Sequence, residues 1–505
     1  MRKETKKSRR ESLSDLAKRR GLFWQPYELY GGLRGTIAIG PVGFLMKRRI
    51  EDLWLESFAE RFGLMTLESP ILGPRDMYVA SGHEESFVDK AATCSLCGAI
   101  WRIDQLLSEE YDLRNAELLD LEQLEKEMAS KGVTCPNCKG KLGKPFFAPL
   151  MVTASLGFAQ GALSYLRPET AQGIFTEFRR LYKIGRQTLP FGVAQIGRVF
   201  RNEISPRQGL LRLREFTIME LEMFVDPEAK LQVDRELDPV ILPLLTEKTQ
   251  ISGSEELLKT TLSNAIGERV FSNDWVGVFM VTALEFFSSL GIDRSKLRFR
   301  EKLPQERAHY AKQLFDAEVW LDGYGWTELA GFAYRTDYDL KGHMKKTGEN
   351  LGVTVGDGRQ VVPHVVEPSF GAERVLYATL EYNLRERDDF IYLSLPAKIA
   401  PKDVSVFPLM DRSELSRVAK EVLLLLKRAR FLCNYDESGS IGRRYARSDE
   451  IGIPLAITID YQTLEDKSVT IRDRDTREQE RSPVDELPSR IGSKLNAQVR
   501  ASAQV

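Results

Sequence analysis

Arginines, one phenylalanine and glutamates alternate along a short stretch in a way that could grip a ligand with three different ends. From Phe200 to Phe224 the chain reads FRNEISPRQGLLRLREFTIMELEMF. The run before the loop alternates, so Val199, Arg201 and Glu203 share one face of a strand. The loop ISPRQG carries Pro206 and Gly209, both turn formers. In the second strand Leu211, Leu213, Met219, Leu221 and Met223 share a core face, and Arg212, Arg214, Phe216, Glu220 and Glu222 share the other. That other face is a shelf. Guanidinium forks suit phosphates, the ring suits a flat base, and the carboxylates suit an ammonium group. A ligand with phosphate, purine and amine ends fits, as an amino acid together with ATP does. The alternative is a salt-bridged surface hairpin, but the same ligand is implied again further along the chain.

In LRPETAQGIF, Glu169 follows Pro168 at a helix start, where a carboxylate is favoured by the dipole; simple capping is the plainer reading. Glu328 follows a tight Gly-Trp turn, and a carboxylate close to phosphates is a natural Mg²⁺ ligand. Arg335 and Asp337 read equally well as a structural ion pair. In HVVEPSFGAERVL an extended run puts Glu367 and Ser369 on one face. Gly371 lets the backbone approach a ligand, and Arg374 sits on the first turn of a helix that begins there. Two pairs, Cys94-x-x-Cys97 and Cys135-x-x-Cys138, have the form of thiolate knuckles, and together they suit a closed four-thiolate structural zinc site. The charged helical stretch LRNAELLDLEQLEKEMAS lies between them, so free thiols or a site that has lost its metal are the alternatives. Arg102, just after the first pair, reads on residues alone as a surface arginine.

The elements that hold these groups can be outlined from pattern. The chain has 505 residues, room for about three domains, and 42% hydrophobic residues, enough for large cores. Five cysteines make no disulfide framework. No apolar run is long enough to span a membrane, and no secretory signal follows the basic start, so a soluble cytoplasmic enzyme is expected. A formal net charge of -1 leaves nucleic-acid contacts to local patches. Residues 1–20 read as a basic, solvated N-terminal arm. Residues 21–390 read as one catalytic unit, carrying a Cys-pair insertion at 91–145 and a helical insertion at 226–300. Within it Phe44, Leu45, Ile50, Leu53, Trp54 and Phe58 recur at helical spacing. Near residue 390 the composition shifts; Leu395 to Pro401 reads as a linker, and 391–505 as an α/β domain with a largely parallel sheet. There Arg443, Arg444 and Arg447, and then Arg472, Arg474 and Arg477, form a basic cluster or ordinary solvated charge.

These stretches together resemble the class II aminoacyl-tRNA synthetases. Arg201-Asn202-Glu203, the loop, Arg212 and Phe216 are similar to that family's motif 2. The long helix, strand and proline before residue 71 resemble motif 1, and Gly371-Ala372-Glu373-Arg374 resembles motif 3. RPETAQGIF, RNEISPRQGL and REFTIMELEMF are similar to the archaeal and eukaryotic glycyl branch. The resemblance implies an α+β catalytic domain on an antiparallel sheet, a zinc-ribbon-like insertion and an anticodon-binding domain. It implies activation of glycine by ATP and Mg²⁺, transfer to tRNA(Gly), and a homodimer joined through motif 1. It assigns ATP to Arg201, Asn202, Glu203, Leu211, Arg212, Leu213, Arg214, Glu215, Phe216, Glu328, Leu329, Gly371 and Arg374. It assigns catalysis to Arg201, Arg374 and Glu328. It assigns glycine to Arg102, Glu169, Phe216, Glu220, Glu367, Ser369 and Gly371. A threonyl or prolyl synthetase is the near alternative; a threonine site needs a reader of the side-chain hydroxyl. A non-catalytic nucleic-acid-binding relative is disfavoured because Arg201, Arg212 and Arg374 are all present. A plain zinc-ribbon RNA-binding protein leaves the shelf unexplained.

Overall fold

The computed structural model describes residues 8–113, 116–157, 162–204, 206, 209–231, 236–388 and 390–502. The first seven residues of the expected basic arm, part of the charged stretch between the cysteine pairs, and part of the loop between Arg201 and Arg212 lie outside the described residues.

The expected solvated arm is instead a packed helix, α1 (Arg9–Arg20), opened by a capping box between Ser8 and Glu11. Its Leu13, Leu16 and Ala17 are buried in the main core. The sequence hides this because those three apolar positions are flanked by arginines and lysines. Arg9 donates to the carbonyls of Glu381 and Leu384, at 2.6 and 2.9 Å. Arg19 and Arg20 both pair with Glu450 in the C-terminal domain.

The long helix α2 (Pro41–Leu55) begins with proline in its first turn, where the missing N–H costs nothing. A side chain at Gly43 would collide with the Leu22 carbonyl at 2.1 Å, so glycine is required there. Ile50, Leu53, Trp54 and, one turn on, Phe58 face the core as expected, while Phe44 is exposed.

Among the described residues nine strands build the central sheet: β1 (Met65–Thr66), β2 (Phe191–Phe200), β3 (Glu215–Val225), β4 (Leu242–Leu245), β5 (Leu258–Thr260), β6 (Leu297–Glu301), β7 (Gln313–Leu321), β8 (Gly325–Thr336) and β9 (His364–Gly371). Their order is β5-β4-β6-β7-β8-β9-β3-β2-β1. Neighbours are antiparallel except β1 with β2 and β4 with β6, which are parallel. Met219, Leu221 and Met223 of β3 enter the main core. There the ring of Phe58 lies 4.9 Å from that of Phe370 and 6.0 Å from that of Phe286. Edge-to-face pairs of this kind add about 1 kcal/mol each beyond burial.

The expectation of a helical insertion over 226–300 is corrected. Its strands β4 and β5 extend the central sheet. Its long helix, α3 (Asp274–Ser289), is buried on most sides and packs against Phe58 and Phe370. A helix apolar all round belongs inside a core.

The cysteine pairs sit in a small module of their own. Val88–Thr93 pairs with both Ile100–Arg102 and Phe146–Pro149, and a separate apolar cluster fills the module. After β9 the helix α4 (Ala372–Asn383) begins directly. The stretch read as a linker is packed: Ile399 and Ala400 are buried. The C-terminal domain has a five-stranded sheet whose first three strands are parallel and last two antiparallel. Most of its arginine cluster is structural. Arg444 is buried and holds the carbonyls of Pro408, Glu437 and Gly439. Arg472 pairs with Asp449 at 2.9 Å, and Arg474 donates to the carbonyl of Gly452.

Candidate active site

Two groups of side chains meet on the face of the central sheet opposite the aromatic core. The first is a crevice walled by Arg201, Glu203, Arg212, Phe216, Gly371 and Arg374. The β2–β3 register that sets Val199 beside Phe216 brings the two ends of the shelf together. Arg212 is held by Glu203 at 2.6 Å and by the Gln105 side chain at 3.0 Å. Arg374, on the first turn of α4, donates to the Leu211 carbonyl at 2.9 Å and lies 3.2 Å from Glu328. Glu328, on the interior strand β8, is 48% exposed. Beside it in β7 stand Glu318, its cross-strand partner, and Asp316, which pairs with Lys302 at 2.9 Å. Burial pushes the Asp316 carboxyl up to about 7; the charge of Glu328 adds to this and Lys302 opposes it.

The second group is a carboxylate pocket. Glu220 and Glu222 leave β3 on the same face, and Glu367 leaves the adjacent strand β9. An oxygen from each of the three lies within 4.8 Å of the others. Glu220 accepts from the backbone N–H and the hydroxyl of Thr170, at 2.8 and 2.6 Å. Glu367 accepts from Arg335 at 2.7 Å. Arg335 is fully buried; it also pairs with Asp339 at 2.8 Å and Glu169 at 3.3 Å, and lies over the Tyr310 ring. Glu169 further accepts from Gln172 and faces His83 at 3.3 Å. Burial works against ionisation of Glu169, yet Arg335 and His83 hold its carboxyl well below the usual range. Burial pushes Glu222 and Glu367 the other way, well above it. Ser369 is half-buried beside Glu220 in the β3–β9 register.

Arg201 stands between the two groups. Its Nε donates to the carbonyl of Pro168, the residue before Glu169, at 3.2 Å. Its guanidinium carbon lies 5.2 Å from the Phe216 ring centroid.

The cysteine cluster is compact: Sγ of Cys94 and Cys138 are 3.5 Å apart, and those of Cys97 and Cys135 are 3.7 Å apart. A tetrahedral ion with Zn–S bonds of about 2.3 Å sets its sulfurs about 3.8 Å apart, so the four thiols fit zinc.

Several expected site residues are placed differently from the rest. Arg102 is paired with Asp89 and Asp104, at 3.2 and 2.5 Å. Asp89 also lies 3.7 Å from Arg212, which puts Arg102 with the phosphate-side groups. Glu215 pairs with Arg198, Arg214 donates to the carbonyl of Glu203, and the Leu329 side chain is in the core. The backbone N–H of Asn202 is taken by the carbonyl of Leu150, and Leu213 is buried. The proposed Arg335–Asp337 pair does not form; Asp337 pairs with Lys341. His83, Gln172, Tyr310 and Asp339 were not expected at the site. The scarcity of histidine was the available signal, since there are only four in the chain. His83 faces Glu169, His343 bonds Gln172, and the His309 ring lies 5.5 Å from that of His83.

Comparison with known proteins agrees with this architecture. Residues 160–383 match the family model for the tRNA synthetase class II core domain (G, H, P, S and T), and residues 403–494 match the anticodon binding domain. A glycine--tRNA ligase of Aeropyrum pernix is 39% identical, covering 95% of this chain and 96% of the relative. Those of Methanocaldococcus jannaschii and Thermococcus gammatolerans are 36% and 38% identical, each covering at least 95% of both chains. A solved prolyl-tRNA synthetase from Cryptosporidium parvum, in complex with L-proline and AMP, superposes with a TM-score of 0.59. It is 13% identical and covers 97% of this chain and 76% of its own, a likeness of fold.

Proposed function

We infer the division of labour in the cleft from one premise: the chain belongs to the archaeal-type glycine--tRNA ligases, class II synthetases that use ATP to join glycine to tRNA. The crevice takes ATP. Phe216 stacks under the adenine and Glu203 accepts from its amino group. Arg212 and Arg374 turn from their carboxylate partners to the β- and γ-phosphates. Gly371 leaves room beside Arg374, where an added Cβ would make only ordinary contacts. The carboxylate pocket takes the ammonium end of glycine through Glu220, Glu367 and Ser369. Glu169 is anchored by Arg335, His83 and Gln172 and shapes the wall behind them.

The observation that carries this reading is the position of Arg201, bonded to the backbone beside Glu169 and stacked near Phe216. One guanidinium there can touch the glycine carboxylate and the α-phosphate together. It brings the nucleophile to phosphorus and spreads the charge that grows in the transition state. That is positioning and electrostatics, and no protein nucleophile is needed. The carboxylates of Glu328, Glu318 and Asp316 form a hard oxygen donor set that fits Mg²⁺. Glu328, with those neighbours, would hold the ion, which supplies charge neutralisation for the departing pyrophosphate. The tRNA 3′-hydroxyl then attacks the adenylate.

Glycine is selected by exclusion. Attraction discriminates a methylene by only about 1–3 kcal/mol, whereas a wall of buried carboxylates collides with any larger side chain. The four cysteines hold a structural zinc ion, and the C-terminal domain reads the anticodon of tRNA(Gly). Exposed Tyr27, Leu29, Tyr30 and Phe44 near α2 form the apolar surface through which two copies pair in the cytoplasm. Sedimentation tests the dimer, and a monomer at assay concentration overturns it. The decisive assay for the site is ATP–pyrophosphate exchange with each of the twenty amino acids. Exchange with glycine alone is expected. Glu220→Ala and Glu367→Ala are expected to abolish glycine-dependent exchange while ATP still binds; normal exchange in both removes the pocket assignment.

A further inference from the structure

Glu222 is a buried carboxyl group with nothing to bond. It is fully excluded from solvent, and neither of its oxygens has a hydrogen-bond partner among the described residues. A buried polar group in that condition is costly, and a buried unpaired charge far more so. The β3–β9 register sets Glu220 beside Ser369 and Met223 beside Val366, which carries Glu222 to the position opposite Glu367. Like charges directly opposite on paired strands repel.

The surroundings do not supply enough positive charge to ionise both. Glu220 on the same strand accepts from Thr170 and also lies against Glu367, adding a third carboxyl group to the cluster. From β9 comes Glu367, and from β8 and the following helix come Arg335 and Asp339, already paired with each other. Beyond them stand Glu169 with His83, and Arg167, whose guanidinium is committed to carbonyls and to Ser69. Tyr310 adds a neutral ring over Arg335. Two carboxyl groups forced together in such a site share a proton, as the like charges cannot both form.

We propose that Glu222 and Glu367 hold one proton between them in the glycine-free enzyme and release it to solvent when the ammonium group of glycine enters. This rests on the reading of the pocket as the glycine site. The charges balance: a pair carrying one negative charge becomes a pair carrying two, the ammonium adds one positive charge, and one proton leaves. Glu222 is thereby a further residue of the glycine site, exchanging a proton for the substrate's cation.

Linkage gives the test. Wild-type KM for glycine in pyrophosphate exchange is expected to fall as pH rises between about 6 and about 8, approaching tenfold per pH unit. Calorimetric titration of glycine in two buffers of different ionisation enthalpy is expected to count one proton released. Glu222→Gln keeps the shape and has no proton to give, so its KM for glycine is expected to be flat over that range. A slope unchanged in Glu222→Gln, or no proton released by the wild type, overturns the proposal. The wild-type proton count decides even if the variant fails to fold. The underlying pocket reading fails separately, if Glu220→Ala and Glu367→Ala leave the KM for glycine unchanged.

Discussion

Replacing Arg335 by methionine removes the group that binds Glu169, Asp339 and Glu367 together. Methionine fills much of the same space, so the loss is mainly electrostatic. Breaking a buried ion pair by removing one partner costs about 3–5 kcal/mol, because the remaining charge is stranded. Here three carboxylates are stranded, and the upper end of that range applies. For a unit of roughly 390 residues, unfolding entropy is about 0.8 kcal/mol/K, so the melting point should drop by about 6 °C. The sign of the pH dependence is fixed as well. With Arg335 present, Glu169 stays ionised; without it, the stranded carboxyls take up protons in the native state. The variant then binds more protons folded than unfolded, and its stability rises as pH falls. The gap between wild type and variant should therefore narrow from about pH 7 to about pH 5. Thermal unfolding at several pH values, with glycine KM measured in parallel, is the assay. A loss below about 1 kcal/mol that does not change with pH would refute the view that Arg335 is the electrostatic keystone of this pocket.

Other perturbations separate the remaining parts. Arg374→Ala should lower kcat/KM for ATP by about 100- to 1,000-fold, the usual cost of one transition-state charge contact, and leave the KM for glycine nearly unchanged; equal effects on both substrates would place Arg374 elsewhere. Asp89 is pushed up to about 6 by burial, against the pull of Arg102 and Arg212. The folded state thus holds the extra proton, and stability should decline from about pH 4 to about pH 6 by up to about 3 kcal/mol and then level off. Asp89→Asn should erase that decline in urea titrations; an unchanged profile assigns it to other groups. Serine in place of Cys94 and Cys135 should abolish bound zinc, as read by metal analysis, and raise the KM for ATP, because Gln105 of the same module braces Arg212. Zinc retained at one per chain would exclude the four-thiolate site.

The alternating faces of β3 were legible because a strand repeats every second residue, and Met219 and Glu220 duly point to opposite sides. The cysteine knuckles were legible for the same local reason. What was hidden is long-range. Arg335 and Glu169 are 166 positions apart, and nothing in either neighbourhood announces the other. Arg444 and Arg472 looked like solvated charge because sequence does not show that carbonyls and Asp449 wait for them inside. The helix Asp274–Ser289 lies inside the stretch read as helical; what that reading missed is that the helix is buried on nearly every side and that strands β4 and β5 beside it join the central sheet.

The docking of α1 has a bearing on how the chain is made. It is the first described helix to leave the ribosome, yet its anchors at Glu381, Leu384 and Glu450 are translated hundreds of residues later. Throughout that interval α1 has only its early-made neighbours, such as the strand Phe23–Trp24, to pack against. Contacts so distant in sequence form slowly, and this one closes over a core already built. A helix made early is thus held by partners made late, and a nascent chain stalled before Glu450 leaves Arg19 and Arg20 without the carboxylate that anchors them.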